Sequence, residues 1–332
     1  MSKKYKILVL RFSSIGDILL TTPILRCIKA KYPTSELSFM IKSDYSDVIK
    51  SNIYVDKIIC FEKSIFEVIK ILKKEKYDLV IDLHKNIRTF FLRFILMKKS
   101  LTYKKYNFRK WLFIKTGINV MPENHIVDRY FKSINKTGIL NDNKRLDFFI
   151  TDIENINKKY KYIIKNKYIV FCLGASFINK RISASTVEKI INYILRETDY
   201  NIVLLGGDDI KKSYDDLADK RIIDLINQTS FNESAFLLKQ SFLVITPDTG
   251  LMHLASVFNK KIISVWGCTS PLFGFRPYLV EDSFILLPNI KNHTPCSKHG
   301  KYCKYKSFKC IDKIDSEHLI ETLKKQIKLF NK

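Results

Sequence analysis

Four turns in this chain carry residues able to do chemistry. The first follows the apolar run Ile7-Leu8-Val9-Leu10, which stops at Ser13-Ser14-Ile15-Gly16-Asp17. A carboxylate beside a glycine at a strand end can cap a helix, or it can take a proton from an attacking hydroxyl. Thr22-Pro23 offers a second helix start, so the cap is not forced. The second turn is Thr246-Pro247-Asp248-Thr249-Gly250, with His253 close behind. Free helix amides, the Thr249 hydroxyl and a glycine without a side chain make a place that phosphate can approach closely. Taken alone, this motif reads as plain capping by Asp248. The third turn, Gly174-Ala175-Ser176, is followed by Lys180 and Arg181. Two cations after a glycine turn suit a diphosphate, although any such pair taken singly also reads as a solvated basic loop. The fourth is Gly206-Gly207-Asp208-Asp209, where a carboxylate can meet ribose hydroxyls. Ser230 and Glu233 have capping-box spacing, a structural device whose loop could border a base.

The common alternatives are missing. The sequence has no G-x-G-x-x-G fingerprint, no G-x-x-x-x-G-K-[ST] phosphate loop and no D-x-D pair for a nucleotide-bound metal. A nucleotide would have to be held by helix amides and basic side chains.

These turns need strands to present them. Apolar, β-branched runs occur at 6–12, 36–41 and 77–83, with helical patterns between them and a helix at 64–76. The scheme restarts with runs at 167–174, 201–207, 221–226, 242–248 and 260–267, and with a helix from about Ser185 to Glu197. Such alternation implies α/β architecture with parallel sheets covered on both faces. The restart implies two of them, joined near residue 155. The expected division is an N-terminal domain over 1–155, a C-terminal domain over 156–314 and a closing helix over 315–332, with Asp315 and Ser316 as capping candidates.

Composition bounds the rest. Of 332 residues, 46% are hydrophobic, and 58 basic against 33 acidic side chains leave a net charge of +25. That charge favours polyanionic partners. No helix-turn-helix, RRM or zinc-finger pattern accompanies it, so no nucleic-acid partner is expected, although a basic nucleic-acid-binding protein is the alternative that charge alone offers. No apolar run reaches the roughly 20 residues of a membrane span, and the N-terminus lacks the features of a signal peptide, so a cytoplasmic protein is expected. Residues 87–111 place Phe90, Phe91, Phe94, Ile95 and Met97 before Lys98, Lys99, Lys104, Lys105, Arg109 and Lys110. This suits an anionic membrane surface, or else an apolar half packed in the first domain beside solvated lysines. Cys27, Cys60, Cys172 and Cys268 stand alone in apolar segments and read as buried thiols. Cys296, Cys303 and Cys310 lie with His293 and His299 in a polar segment. Six residues separate neighbouring cysteines and there is no C-x-x-C pair, so the reading favours one disulfide or free thiols over a metal.

The stretches "RFSSIGDILLTTPILRCIKAKYP", "VIDLHKNIRT", "GASFINKR" and "PDTGLMHLASVFNKKIISVWG" together resemble glycosyltransferase family 9, the ADP-heptose:lipopolysaccharide heptosyltransferases, from residue 7 to about 310. The resemblance implies a GT-B architecture of two facing Rossmann-like domains with the active site in the interdomain cleft. It implies metal-independent, inverting transfer of a heptose or related sugar from an ADP-sugar donor, with no cofactor. Asp17 matches the family's catalytic base, with Ser14 and Gly16 shaping the acceptor turn and Arg88 placed for an acceptor phosphate. Lys180 matches the lysine that meets donor phosphates. Thr249 and Gly250 match the diphosphate turn, supported by Asp248 and His253, and Ser176, Arg181 and Asp208 complete the donor set. The implied acceptor is an anionic, lipid-linked saccharide of the lipopolysaccharide core, met at the inner-membrane surface. Where the family often has Trp-Pro after Lys-Arg, this chain has Ile182-Ser183. A binding protein that holds nucleotide sugars without catalysis is a further alternative, against which the intact Asp17 argues.

Overall fold

The computed structural model describes residues 4–207 and 219–328. Its helices are α1 (Ile15–Leu19), α2 (Thr22–Lys31), α3 (Ile69–Glu75), α4 (Ile87–Leu96), α5 (Asn107–Thr116), α6 (Ile126–Ile134), α7 (Ile153–Ile164), α8 (Ala184–Glu197), α9 (Phe231–Gln240), α10 (Gly250–Val257) and α11 (Ser316–Lys328).

Two compact units are present. The first comprises the chain up to Lys105 and Asn124–Thr151. Its strands are β1 (Lys6–Leu10), β2 (Glu36–Lys42), β3 (Lys57–Phe61), β4 (Leu79–Asp82) and β5 (Ser100–Thr102), all parallel in the order β3-β2-β1-β4-β5. Ile7, Leu8, Val9 and Leu10 are fully buried, because a central parallel strand is covered on both faces and alternation gives way to a continuous apolar run. Each such side chain removed from water contributes on the order of 1.5–3 kcal/mol. Pro23 sits in the first turn of α2, as the second helix start required.

The second unit comprises Tyr106–Glu123 and the chain from Asp152 onward. Its strands are β6 (Tyr168–Cys172), β7 (Asn201–Leu205), β8 (Ile222–Asp224), β9 (Leu243–Pro247), β10 (Lys261–Val265) and β11 (Ser283–Leu286), again all parallel, in the order β11-β10-β9-β6-β7-β8. The α5 segment belongs here because Phe113 packs on Phe273 at 6.2 Å between ring centroids and the Lys110 ammonium lies 4.9 Å from the Phe275 ring. Asp315 caps α11, accepting from the amides of Glu317 and His318 at 3.0 and 3.2 Å.

Two readings of the sequence change, and two open alternatives are decided. Cys60 is exposed on the edge strand β3 rather than buried, since only one face of an edge strand is fully covered. Cys268 is buried, but it lies against Cys296, Cys303 and Cys310 rather than alone. Among the described residues, which include all seven cysteines, none forms a disulfide. On α4, Leu92 and Leu96 face the core while Phe90, Phe91, Phe94 and Met97 are exposed, so the apolar half of 87–111 does not pack away in the first unit.

Candidate active site

In an open parallel sheet, ligands bind outside the carboxyl ends of the strands where the strand order reverses. In the first sheet that point lies between β1 and β4, and in the second between β9 and β6. Three of these four strands, β1, β9 and β6, lead into turns singled out above; β4 leads into the turn before Arg88, and the Gly206-Gly207 turn follows β7 instead.

In the first unit, Arg11 leaves the end of β1 and is almost wholly buried. Its Nε donates to the Ser13 carbonyl at 2.8 Å, and Nη1 donates to the Leu83 carbonyl at 2.7 Å and the Tyr130 hydroxyl at 3.2 Å. Nη2 forms an ion pair with the Asp17 carboxylate. Burial works against the Arg11 charge, but Asp17 and the neighbouring phenols Tyr130 and Tyr103 outweigh it and hold the guanidinium above its ordinary value. Ser14 Oγ donates to the same Asp17 oxygen at 3.2 Å. Asp17 is 26% exposed on the first turn of α1, beside the buried Gly16. The N-cap position is Ser14, and no side chain caps this helix. Asp17 is therefore not a cap; it is a carboxylate aimed by a buried arginine.

Arg11, Lys105 and Arg88 all bear electrostatically on the nearby His84, as does Asp17 itself. Asp82, fully buried at the end of β4, accepts from the amides of His84 at 3.0 Å and Lys85 at 2.6 Å and so shapes the next turn. The His84 ring lies 4.8 Å from that of Phe12. Burial pushes its pKa down to about 3, and the charges of Arg11, Lys105 and Arg88 push the same way, so the imidazole is neutral at physiological pH. Arg88 is exposed in the first turn of α4, whose N-cap Asn86 exchanges hydrogen bonds with Thr89 at 2.9 Å each. Arg88 also bears electrostatically on Lys42. An anionic ligand here would relieve like-charge repulsion.

In the second unit, Lys180 Nζ donates to Asp248 Oδ2 at 2.6 Å and to the Asp248 carbonyl at 3.1 Å. Thr269 Oγ1, beyond the end of β10, donates to the same Oδ2 at 2.9 Å. Asp248 thus fixes the lysine instead of capping α10, whose N-cap position is Thr249, with no side-chain cap bond. Gly250 begins the helix and His253 is buried within it. Thr249 Oγ1 lies 3.4 Å from Thr246 Oγ1. An ammonium has three N–H groups. Two of them meet Asp248, which leaves one for a ligand beside the α10 amides.

Arg181 turns back on the strand end, its Nε and Nη2 each donating to the Ala175 carbonyl at 3.2 Å, so it braces the Gly174 turn. Ser176 is exposed in that turn. Ile182 joins the core and Ser183 caps α8 by accepting from the Thr186 amide, which accounts for the Ile-Ser pair in place of Trp-Pro. Ser230 and Glu233 form the anticipated capping box on α9. Asp208 lies outside the described residues. Sequence reasoning missed Arg11 and Thr269; the one available signal was position, since each stands just past the carboxyl end of a strand.

Comparison with known proteins follows the same lines. The family model described as glycosyltransferase family 9 (heptosyltransferase) matches residues 65–306. Lipopolysaccharide heptosyltransferase 3 of Escherichia coli K12 is 26% identical over 296 residues, covering 79% of this chain and 82% of that one. A glycosyl transferase family 9 structure from Veillonella parvula superposes with a TM-score of 0.76 at 20% identity, covering 98% of both chains. The ADP-heptose lipopolysaccharide heptosyltransferase II of Escherichia coli superposes with a TM-score of 0.74 at 19% identity, covering 98% of this chain and all of that one.

Proposed function

Since the chain belongs to glycosyltransferase family 9, the heptosyltransferases, we propose that it moves a heptose from ADP-heptose to a lipopolysaccharide-core acceptor, inverting the anomeric centre, with no metal ion in the reaction. The observation that carries this reading is the Lys180–Asp248–Thr269 cluster at the start of α10, a cation held in place beside free helix amides.

The chemistry assigns a role to each group. The acceptor hydroxyl is a weak nucleophile until its proton is removed. Asp17 accepts that proton as the hydroxyl oxygen bonds to the anomeric carbon. The bond from that carbon to the donor phosphate oxygen breaks, and ADP leaves carrying the additional charge. The remaining Lys180 N–H and the Thr249–Gly250 amides stabilise that charge as it develops, which is the work a divalent cation does elsewhere. The cations around Arg88 recognise phosphate on the acceptor.

The test is a thermal unfolding panel. A ligand at 100 times its Kd adds about 2.7 kcal/mol to stability. ADP and ADP-heptose should raise the melting temperature in magnesium-free buffer. Stabilisation by UDP or GDP but not by ADP would exclude the heptose donor.

We place the enzyme in the cytoplasm, bound peripherally at the inner membrane. Among the described residues no helix is long and apolar enough to cross a membrane. The exposed face of α4, with Phe94 at 73% and Met97 at 85% accessibility next to Lys98 and Lys99, suits the headgroup boundary of an anionic bilayer. The protein should sediment with vesicles containing anionic lipid and not with neutral ones. Phe94→Asp should release it without loss of fold, and unchanged sedimentation of that variant would remove α4 from the contact.

A further inference from the structure

Residues 287–309 contain no helix and no strand, a long irregular run for the interior of a compact unit. Such a segment needs something to hold it. Cys296, Cys303 and Cys310 come from this segment and its end, and Cys268 arrives from the turn after β10. Their four sulfur atoms all lie within 4.8 Å of one another. The Cys296 and Cys310 sulfurs are 3.2 Å apart, Cys303 and Cys310 3.4 Å, and Cys296 and Cys303 3.9 Å.

These distances discriminate between the possible states. A disulfide needs about 2.05 Å and joins sulfurs in pairs. Four thiolates around one tetrahedral ion, at Zn–S distances of about 2.3 Å, stand about 3.8 Å apart. The observed separations fall around the second value. The backbone fixes the group as well: the amides of Cys296 and Ser297 donate to the Cys268 carbonyl at 2.9 and 3.2 Å. Cys268, Cys296 and Cys310 are buried, and Cys303 is partly open to solvent. The aromatic rings of Tyr305 and Phe308 stack at 4.8 Å, with Tyr305 packed against the cluster. Four thiolates on a divalent ion carry excess negative charge, and the same segment supplies Lys301, Lys304, Lys306 and Lys309.

We propose that Cys268, Cys296, Cys303 and Cys310 hold one thiophilic metal ion, zinc or iron, in a tetrahedral structural site. An all-sulfur donor set selects such ions and rejects magnesium and calcium. The site has a second consequence, which rests on the donor role of Lys180. Asn179 Nδ2 donates to the carbonyls of Gly300 and Lys301 at 3.3 and 3.2 Å. Gly300 has φ +81°, and a Cβ built there would lie 2.8 Å from Lys180 Cγ. The segment that the metal ties down is therefore the wall against which the Lys180 stem lies. The ion takes no part in sugar transfer; it positions a lysine.

The experiment is elemental analysis of the full-length protein, purified under reducing conditions with neither chelator nor added metal. About one zinc or iron per chain is expected. Iron gives a coloured protein, zinc a colourless one, and replacement by cobalt gives the strong thiolate charge-transfer absorption of a tetrahedral sulfur site. Cys303→Ser should lose the metal, whereas Cys60→Ser, at the exposed thiol of β3, should keep it. Should Cys303→Ser fail to fold, wild-type stoichiometry and the cobalt spectrum still decide. Substoichiometric metal in the wild type, with all seven thiols free to titrate or with a disulfide among these four, overturns the site. None of these readouts involves ADP, so failure of the donor assignment would show separately. If the metal is present but its removal leaves ADP affinity unchanged in a folded protein, the site stands and its link to Lys180 falls.

Discussion

Asp17→Asn should lower turnover by about 10²–10⁴-fold at saturating donor and acceptor, the range that a general base contributes. Asparagine keeps the size of the side chain and an oxygen that accepts from Arg11, but it cannot take a proton. Arg11 retains its bonds to the Ser13 and Leu83 carbonyls and to Tyr130, so the turn should persist. The stability loss should stay within about 1.5–3 kcal/mol, the contribution of a hydrogen bond to a charged group. ADP affinity should be nearly unaltered, because the residues assigned to the diphosphate belong to the second unit. A helix cap makes the opposite prediction: asparagine caps as well as aspartate, and activity would survive. Near-normal turnover in a folded Asp17→Asn protein would place the base elsewhere.

Lys180→Ala should weaken ADP and ADP-heptose binding by roughly 10–150-fold, which corresponds to about 1.5–3 kcal/mol for a charged hydrogen bond to phosphate. The loss should appear in kcat as well as in KM, because the charge of the leaving diphosphate grows toward the transition state. Removal of the ammonium also leaves Asp248, only 14% exposed, with Thr269 as its remaining side-chain donor. A carboxylate without its cation then faces the incoming phosphate and repels it. Lys180→Arg should recover part of the affinity. Isothermal titration of ADP into the folded variants reads this directly, and wild-type affinity in Lys180→Ala would remove the lysine from the donor site.

The central strands were legible because they are largely apolar runs: β1, β6, β9 and β10 are buried along nearly their whole length. Three edge strands were not. β5 and β11 are short, and β3, although as long as β1, is only partly covered; β5 reads simply as Ser-Leu-Thr with no residue fully buried. The segment 106–123 was assigned by its place in the chain to the N-terminal half, yet Phe113 and Lys110 pack it on Phe273 and Phe275. Turn chemistry singled out Asp17, Lys180 and Asp248 as candidates, since strand ends in parallel sheets are where ligands bind. It did not reveal that Lys180 and Asp248 are partners. That pairing follows from β6 lying beside β9, a fact of strand order rather than of spacing. The cysteines show the same limit. Spacing within 296–310 argued against a metal because the fourth sulfur, on Cys268, comes from the end of a different strand.

The most direct measurement is transfer itself. Wild-type protein is incubated with ADP-heptose and a heptose-deficient lipopolysaccharide core, with no divalent cation added, and the product is read by mass spectrometry and by NMR of the new anomeric centre. The expected result is one heptose added per ADP released, with the anomeric configuration opposite to that of the donor and a signal largely absent for Asp17→Asn. Retained configuration, or no transfer until magnesium is supplied, would contradict the account.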